Sequence, residues 1–278
     1  MKFKYNATSL RLYFAAVSLS LIYISCTTKR AEPFSFIQLC DTQLGMGGYE
    51  HDIATFKQAV SQINELNHDF VVICGDLVND AADSSYVEFK DIMKELKTPC
   101  YVAAGNHDVG NIPNDSTLRF YRNTIGKDYY DFKHKNNAFV VINTQLLKVD
   151  VENESEKHYN WFKNKLESHK KEQHSVFVIG HYPLFTETPN EEEHYFNLPV
   201  DKRKEILELF KNNNVAAYLS GHTHKLTINN YENIQLVSGE ATSKNLDDRP
   251  LGFRQWEVSG DTIEHKFVHL KPINQIQQ

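Results

Sequence analysis

Short apolar runs alternate with longer amphipathic stretches along this chain. Phe34–Cys40, Phe70–Cys74, Pro99–Ala104, Val176–Ile179 and Val215–Leu219 each read as a β-strand, as do Ala138–Asn143, Ile234–Ser238, Phe253–Val258 and Thr262–Leu270. Between them the spacing predicts helices. His51–Leu66 places Ile53, Phe56, Val60, Ile63 and Leu66 on one face at intervals of three and four. Ser85-x-x-Glu88 has the form of a capping box, opening a helix through Leu96 with Phe89, Met93 and Leu96 inward. Thr117–Ile125 predicts another helix. So does Glu156–Lys171, with Tyr159, Phe162 and Leu166 inward, and so does Asp201–Lys211, stopped by Asn212-Asn213-Asn214. The first half reads β-α-β-α-β, which argues for parallel strands with helical crossovers. The last third is richer in strands and more alternating, and predicts a second, mixed or antiparallel sheet. The expected class is α/β: a two-sheet β-sandwich flanked by helices.

Five of the strands run straight into polar clusters. These are Asp41-Thr42-Gln43, Gly75-Asp76, Gly105-Asn106-His107-Asp108, Gly180-His181 and Gly221-His222-Thr223-His224. Singly, most have an ordinary reading as turns or solvated loops. Together, each after an apolar strand, they place hard carboxylate and amide oxygens and imidazole nitrogens at the ends of neighbouring strands, where side chains converge. Mixed O/N ligation of this kind suits Mn, Fe or Zn better than Ca or Mg. In His222-x-His224, an extended backbone would turn both imidazoles to one side.

The 278 residues are 41% hydrophobic, enough for one large core. The net charge of −6 and the lack of a basic stripe argue against a nucleic-acid partner. Lys202-Arg203-Lys204 and Lys170-Lys171 read as solvated helix surface, and Glu187–Glu193 as an exposed acidic loop. The N-terminus differs from the rest. Lys2, Lys4 and Arg11 precede an apolar stretch, Leu12–Ile24, which ends in Ser25-Cys26. About 13 residues are short of the roughly 20 that span a bilayer, so a secretory signal is preferred over an uncleaved anchor. Cys26 gives the cut site a resemblance to a bacterial lipoprotein signal, with Tyr23 standing where Leu is usual. The expected layout is a signal over 1–26, a linker over 27–33, the main folded domain over 34–272 and a tail over 273–278. The protein would be exported and lipid-anchored, facing the periplasm or cell surface, and monomeric. Cys40, Cys74 and Cys100 lie in core strands without CxxC spacing and read as small buried hydrophobes. A Cys40–Cys74 disulfide is the alternative for an exported chain.

The order Asp-x-Gln, Gly-Asp, Gly-Asn-His-Asp, Gly-His, Gly-His-x-His resembles the calcineurin-like metallophosphoesterases over about Phe34 to Leu270. The segments Gly105–Pro113, Tyr195-Phe196-Asn197-Leu198 and Pro250–Arg254 resemble the branch called calcineurin-like phosphoesterase domain-containing protein 1. Its animal members are described as serine/threonine protein phosphatases. The resemblance implies a four-layer αββα fold and two divalent ions, with Mn favoured. Asp41, Gln43, Asp76 and His224 would surround the first ion. Asp76, Asn106, His181 and His222 would surround the second, with Asp76 bridging. His107 would serve the leaving group as general acid, and Asp108 would orient His107. A water activated between the ions would hydrolyse the ester directly. Gln43 departs from the His more usual in the family, which implies looser metal binding there. Asn111 and Arg254 are candidate substrate contacts. Arg249 is a weaker one, and Asn79 and Tyr182 read as turn and packing residues. The remaining histidines read as surface or structural.

The substrate expected is a phosphate ester, most simply a phosphomonoester such as phosphoserine or phosphothreonine in proteins. A phosphodiesterase for cyclic nucleotides or lipid head groups fits the same ligands. A non-catalytic surface lipoprotein is the third reading; the otherwise complete ligand set argues against it.

Overall fold

The computed structural model describes Met1 and residues 32–272, so the expected signal with Cys26 and the tail at 273–278 lie outside the described residues. In chain order the elements are β1 (Phe34–Leu39), α1 (Tyr49–Ile63), β2 (Phe70–Ile73), α2 (Asp83–Met93), β3 (Cys100–Val102), α3 (Asn106–Val109) and α4 (Asp115–Thr124). There follow β4 (Tyr130–His134), β5 (Asn137–Val141), α5 (Gln145–Lys148), α6 (Glu154–Lys171), β6 (Ser175–Ile179) and α7 (Val200–Asn212). The chain closes with β7 (Val215–Ser220), β8 (Thr227–Tyr231), β9 (Ile234–Ser238), β10 (Gly252–Ser259) and β11 (Thr262–His269).

Two mixed sheets form. One has the order β11-β10-β1-β2-β3 and the other β4-β5-β6-β7-β9-β8. Strands β1, β2 and β3 run parallel, as do β5, β6, β7 and β9. The inner strands are apolar on both faces because both faces are covered. On β1, Phe34 and Phe36 join the layer between the sheets, as does Cys40 just past its end, while Ile37 and Leu39 pack beneath the helices. The layer between the sheets is aromatic. Phe36 stacks on Phe70 at 5.1 Å and on Trp256 at 5.7 Å, and meets Phe177 of the opposite sheet edge-on at 5.7 Å. Full burial of such a side chain contributes about 1.5–3 kcal/mol. Side chains of α1, α2 and α4 cover the outer face of the first sheet, and those of α6 and α7 the outer face of the second. This is the two-sheet, helix-flanked α/β architecture expected.

Several local expectations are corrected. The C-terminal strands do not belong to the second sheet: β10 pairs antiparallel with β1, from Phe34↔Val258 to Gln38↔Arg254, and satisfies an edge of β1 that β2 leaves open. The second sheet is built from the middle of the chain instead. Strands β4 and β8 are not foreseen, because as half-exposed edge strands they carry too many polar residues to give an apolar run. Helix α2 starts at Asp83 behind Ala82 with no side-chain cap, so Ser85 lies inside its first turn. A true capping box opens α4: Asn114 Oδ1 accepts from Ser116 N at 2.9 Å and Thr117 N at 3.1 Å, and Asn114 N donates to Thr117 Oγ1. Cys40, Cys74 and Cys100 are free, which removes the disulfide; burial pushes the Cys40 thiol well up, and it donates to Ser220 O.

Candidate active site

The polar clusters follow the C-terminal ends of β1, β2 and β3 in one sheet and of β6 and β7 in the other. Because these strands are parallel within each sheet, their loops gather in one crevice. Asp41, Gln43, Asp76, Asn106, His181, His222 and His224 are all nearly or fully buried there. His181 Nε2 lies 3.2 Å from Asp76 Oδ2, 3.0 Å from Asn106 Oδ1 and 3.2 Å from His222 Nδ1. His224 Nε2 lies 3.5 Å from Asp41 Oδ1. Asp41 also accepts from His222 N with both oxygens, and Gln43 N donates to Asp76 O at 2.8 Å, which joins the two groups.

Each histidine is fixed by a backbone carbonyl. His181 Nδ1 donates to Cys74 O, His222 Nε2 to Tyr195 O and His224 Nδ1 to Lys244 O. One ring nitrogen is thus anchored and the other is turned to the cluster, as metal-ligating histidines are commonly held. The backbone is strained at the same places. Asp41 (φ 48°), Gln43 (29°), Asp76 (49°), His222 (68°) and His224 (52°) all sit at positive φ. Each such residue costs on the order of 1 kcal/mol or more and persists only where its surroundings force it. His222-Thr223-His224 is therefore a left-handed bend and not the extended segment expected; it turns His222 to His181 and His224 to Asp41 through strain, not through strand alternation.

The electrostatics mark a site built for cations. Burial pushes the Asp41 carboxyl up, against the pull of His224 and His181. Burial works on Asp76 in the same sense, but the neighbouring His181 outweighs it and holds this carboxyl well below its ordinary range. Burial would depress His181; the Asp76 carboxylate overrides it and lifts the imidazole to about 9. His222 is pushed well down by burial and by His181. Gln43 Oε1 is a buried acceptor with no hydrogen-bond partner, while its Nε2 donates to Asn79 Oδ1 at 3.3 Å. An orphaned oxygen beside buried carboxylates and imidazoles fits hard or borderline divalent cations. Asp76, His181 and His222 offer ligand atoms all within 4.8 Å of one another.

His107 adjoins this group. Its N–H donates to Asp76 Oδ1 at 2.9 Å and its ring Nδ1 to Asn79 O at 2.8 Å, which leaves Nε2 for a substrate. Asp108 does not orient that ring. Its carboxylate accepts from Leu77 N, Gly105 N and Tyr86 Oη, and burial with the Asp76 carboxylate pushes it up to about 7. Asp108 braces the loop that carries Asn106 and His107; Asn79 does the orienting. Asn111 is exposed, and its Oδ1 accepts from Asn106 Nδ2 at 3.2 Å, so it adjoins the cluster. Arg254 does not. It is buried on β10, pairs with Glu240 at 2.8 Å and donates to His265 Nδ1. Arg249 is half exposed and lies 3.7 Å from the same Glu240. Tyr182 packs its ring 3.8 Å from that of His222. The positioning groups not foreseen are Cys74, Asn79, Tyr195 and Lys244, which act through carbonyl oxygens that every residue has. Only Tyr195 carried a signal, in its Tyr-Phe-Asn-Leu segment; its hydroxyl also lies 3.4 Å from Asn106 Nδ2.

The calcineurin-like phosphoesterase family model matches residues 34–226. The chain is 32% identical over 270 residues to a serine/threonine-protein phosphatase CPPED1 of Bos taurus, covering 87% of this chain and 86% of that protein. It is 24% identical over 223 residues to the 3',5'-cyclic adenosine monophosphate phosphodiesterase CpdA of Haemophilus influenzae, covering 75% and 77%. Among solved structures, a dimetal phosphatase from Danio rerio superposes with a TM-score of 0.62 at 16% identity, covering 86% of this chain and all of that one.

Proposed function

The chain belongs to the calcineurin-like phosphoesterase family and is a metal-dependent phosphoester hydrolase; from this premise we propose that its substrates are phosphomonoesters, with phosphoserine and phosphothreonine in proteins the class of choice. One observation carries the ester-hydrolysis reading, and the choice of monoesters rests on the similar serine/threonine phosphatase. His107 has Nδ1 pinned by Asn79 O and Nε2 free, beside the buried Asp76. That is the placement of a group able to protonate a poor alkoxide leaving group. The serine/threonine phosphatase named above, similar over most of both chains, supports the class.

Asp41, Gln43, Asp76 and His224 would hold one divalent ion, and Asp76, Asn106, His181 and His222 the other. When bound, two such ions would lower the pKa of water from about 15.7 toward 7 and neutralise phosphoryl oxygens. The chain's own part is to position. Carbonyl anchors hold the three imidazoles in one tautomer, and the strained loops fix the carboxylates before a substrate arrives. Burial of the donor set excludes bulk water, which strengthens every charge interaction within it. His107 donates from Nε2 to the departing oxygen. The amide of Gln43, neutral like imidazole but harder, favours Mn²⁺ over Zn²⁺ at its site.

The test is a panel on purified, Mn²⁺-reconstituted protein: nitrophenyl phosphate, a phosphoserine peptide, bis-nitrophenyl phosphate and cyclic AMP. Monoesters turned over at least tenfold faster than diesters support the reading. The reverse order favours the diesterase class, to which the 24% identical CpdA belongs by name. No turnover of any ester favours a binding protein. We further propose export and lipid anchoring through Cys26, motivated by the basic, apolar and Ser-Cys order of residues 1–26. Cys26→Ser should move the protein from the membrane to the soluble fraction; unchanged membrane partition would refute the anchor.

A further inference from the structure

At the end of α6 a second group of histidines stands apart from the active site. His169, Glu172 and His174 each offer a ligand atom, and these atoms lie within 4.8 Å of one another. His174 directly precedes β6 and His181 follows it, so the two sites are separated by the length of that strand, roughly 20 Å. Gln173, at φ 62°, folds the chain back after the helix. His174 N then donates to His169 O at 3.0 Å, and the two imidazole rings lie 5.6 Å apart, tilted by 51°.

His169 is 2% exposed, and its Nε2 lies 3.0 Å from Asp131 Oδ2 on β4. With Nε2–H donated to a carboxylate, the lone pair falls on Nδ1, which is buried and without a partner. Nδ1 of His174 is likewise buried without a hydrogen bond, and lies 3.4 Å from Glu172 Oε2. A carboxylate behind one imidazole and two unused imidazole nitrogens beside a second carboxylate form the donor and support pattern of a transition-metal site. Burial also pushes His169 down, which keeps its lone pair available near neutral pH. Lys133 pairs with the same Glu172 Oε2 that faces His174 Nδ1, so a metal ion would displace this ammonium or take the other carboxylate oxygen, and Lys165 pairs with Asp131; the imidazoles must supply the selectivity.

We infer that His169, Glu172 and His174 form a peripheral site for one borderline divalent cation of the Zn²⁺, Co²⁺, Ni²⁺ or Cu²⁺ class, which ties the end of α6 to the start of β6. Two imidazoles and one carboxylate suit these ions and disfavour Mg²⁺ and Ca²⁺. Three protein ligands leave at least one position to water.

The test is equilibrium dialysis of metal-free protein against micromolar Zn²⁺, followed by elemental analysis. Wild type should hold one equivalent more than His174→Ala, with activity of the Mn²⁺-loaded variant on nitrophenyl phosphate within twofold of wild type. With Cu²⁺ bound in an Asp76→Asn background, the electron paramagnetic resonance spectrum should show a nitrogen-coupled species, beyond that of the active-site imidazoles, that His174→Ala removes. Equal metal content in wild type and His174→Ala would overturn the site, as would a Cu²⁺ spectrum that His174→Ala leaves unchanged. Should His174→Ala fail to fold by circular dichroism, Glu172→Gln, at an exposed position, should weaken the extra equivalent at least tenfold; unchanged affinity would overturn the site equally.

Discussion

A methyl group at position 105 should disable the active site while leaving most of the fold intact. Gly105 has φ −102° and ψ 176°, which any residue adopts, so Gly105→Ala carries no backbone penalty. The obstacle is space. An added Cβ would lie 2.0 Å from Asp76 Oδ1 and 2.2 Å from Asp76 N, where ordinary contact needs 3.4–4 Å. Asp76 or the 105–108 loop must therefore move by more than 1 Å. Asp76 accepts from His107 N with the same oxygen and contacts His181 with the other, so the shift disturbs both proposed ion sites and the proposed acid at once. A misplacement of about 1 Å at reacting groups costs on the order of 100-fold, equivalent to about 2.7 kcal/mol of transition-state stabilisation. Overpacking of this kind costs about 1–3 kcal/mol of stability, well inside the roughly 5–15 kcal/mol of a typical domain. Steady-state kinetics with nitrophenyl phosphate, a Mn²⁺ titration and a thermal melt separate the outcomes. Expected are a folded protein, at least a 100-fold fall in kcat/KM and weaker metal binding. A folded variant with activity within a few fold of wild type would show that Asp76 need not be held where the structure puts it.

Three further outcomes follow from the same geometry. His107→Ala should slow a phosphoserine peptide by about 10²–10⁴-fold and nitrophenyl phosphate far less, because nitrophenolate leaves without a proton; equal losses on both would remove the general-acid role. Gln43→His should raise Zn²⁺ affinity relative to Mn²⁺ in a competitive titration, since imidazole replaces the unpartnered amide oxygen; an unchanged preference refutes the assigned contribution of Gln43. His158 is fully buried, its Nε2 accepts from Asn143 N at 3.3 Å, and burial holds it down at about 4. The unfolded chain, with an ordinary His pKa near 6.5, takes up that proton first. Stability is thus complete above about pH 6.5 and falls as pH drops toward 4, by about 3 kcal/mol for this group. In urea melts His158→Gln should lose less stability than wild type between pH 7 and 4.5; parallel losses would contradict the linkage.

The apolar strands, the parallel β-α-β-α-β of the first half and the polar residues at the strand ends were legible in the sequence, because each signal is local. An apolar run buried on both faces, such as Phe70–Ile73, is distinct from its surroundings, and so is Gly-Asn-His-Asp behind Cys100–Val102. The donors Asp41, Asp76, Asn106, His181, His222 and His224 follow from that placement, while Gln43 is added by the family resemblance. What joins β10 to β1, and so puts the last strands in the first sheet, is a choice between free strand edges. Nothing in Gly252–Ser259 encodes it apart from the layer of Phe36, Phe70 and Trp256 that forms once the sheets meet. Arg254 illustrates the same limit, since a guanidinium reads identically whether it meets a phosphate or the buried Glu240. The orientation of His107 by Asn79, and of His181, His222 and His224 by Cys74, Tyr195 and Lys244, was decided only in three dimensions. These partners act through the peptide carbonyl, the one group that every residue shares, so side-chain identity cannot reveal them. The sequence determined which atoms are available to the chemistry; the packing of two sheets determined which way they face.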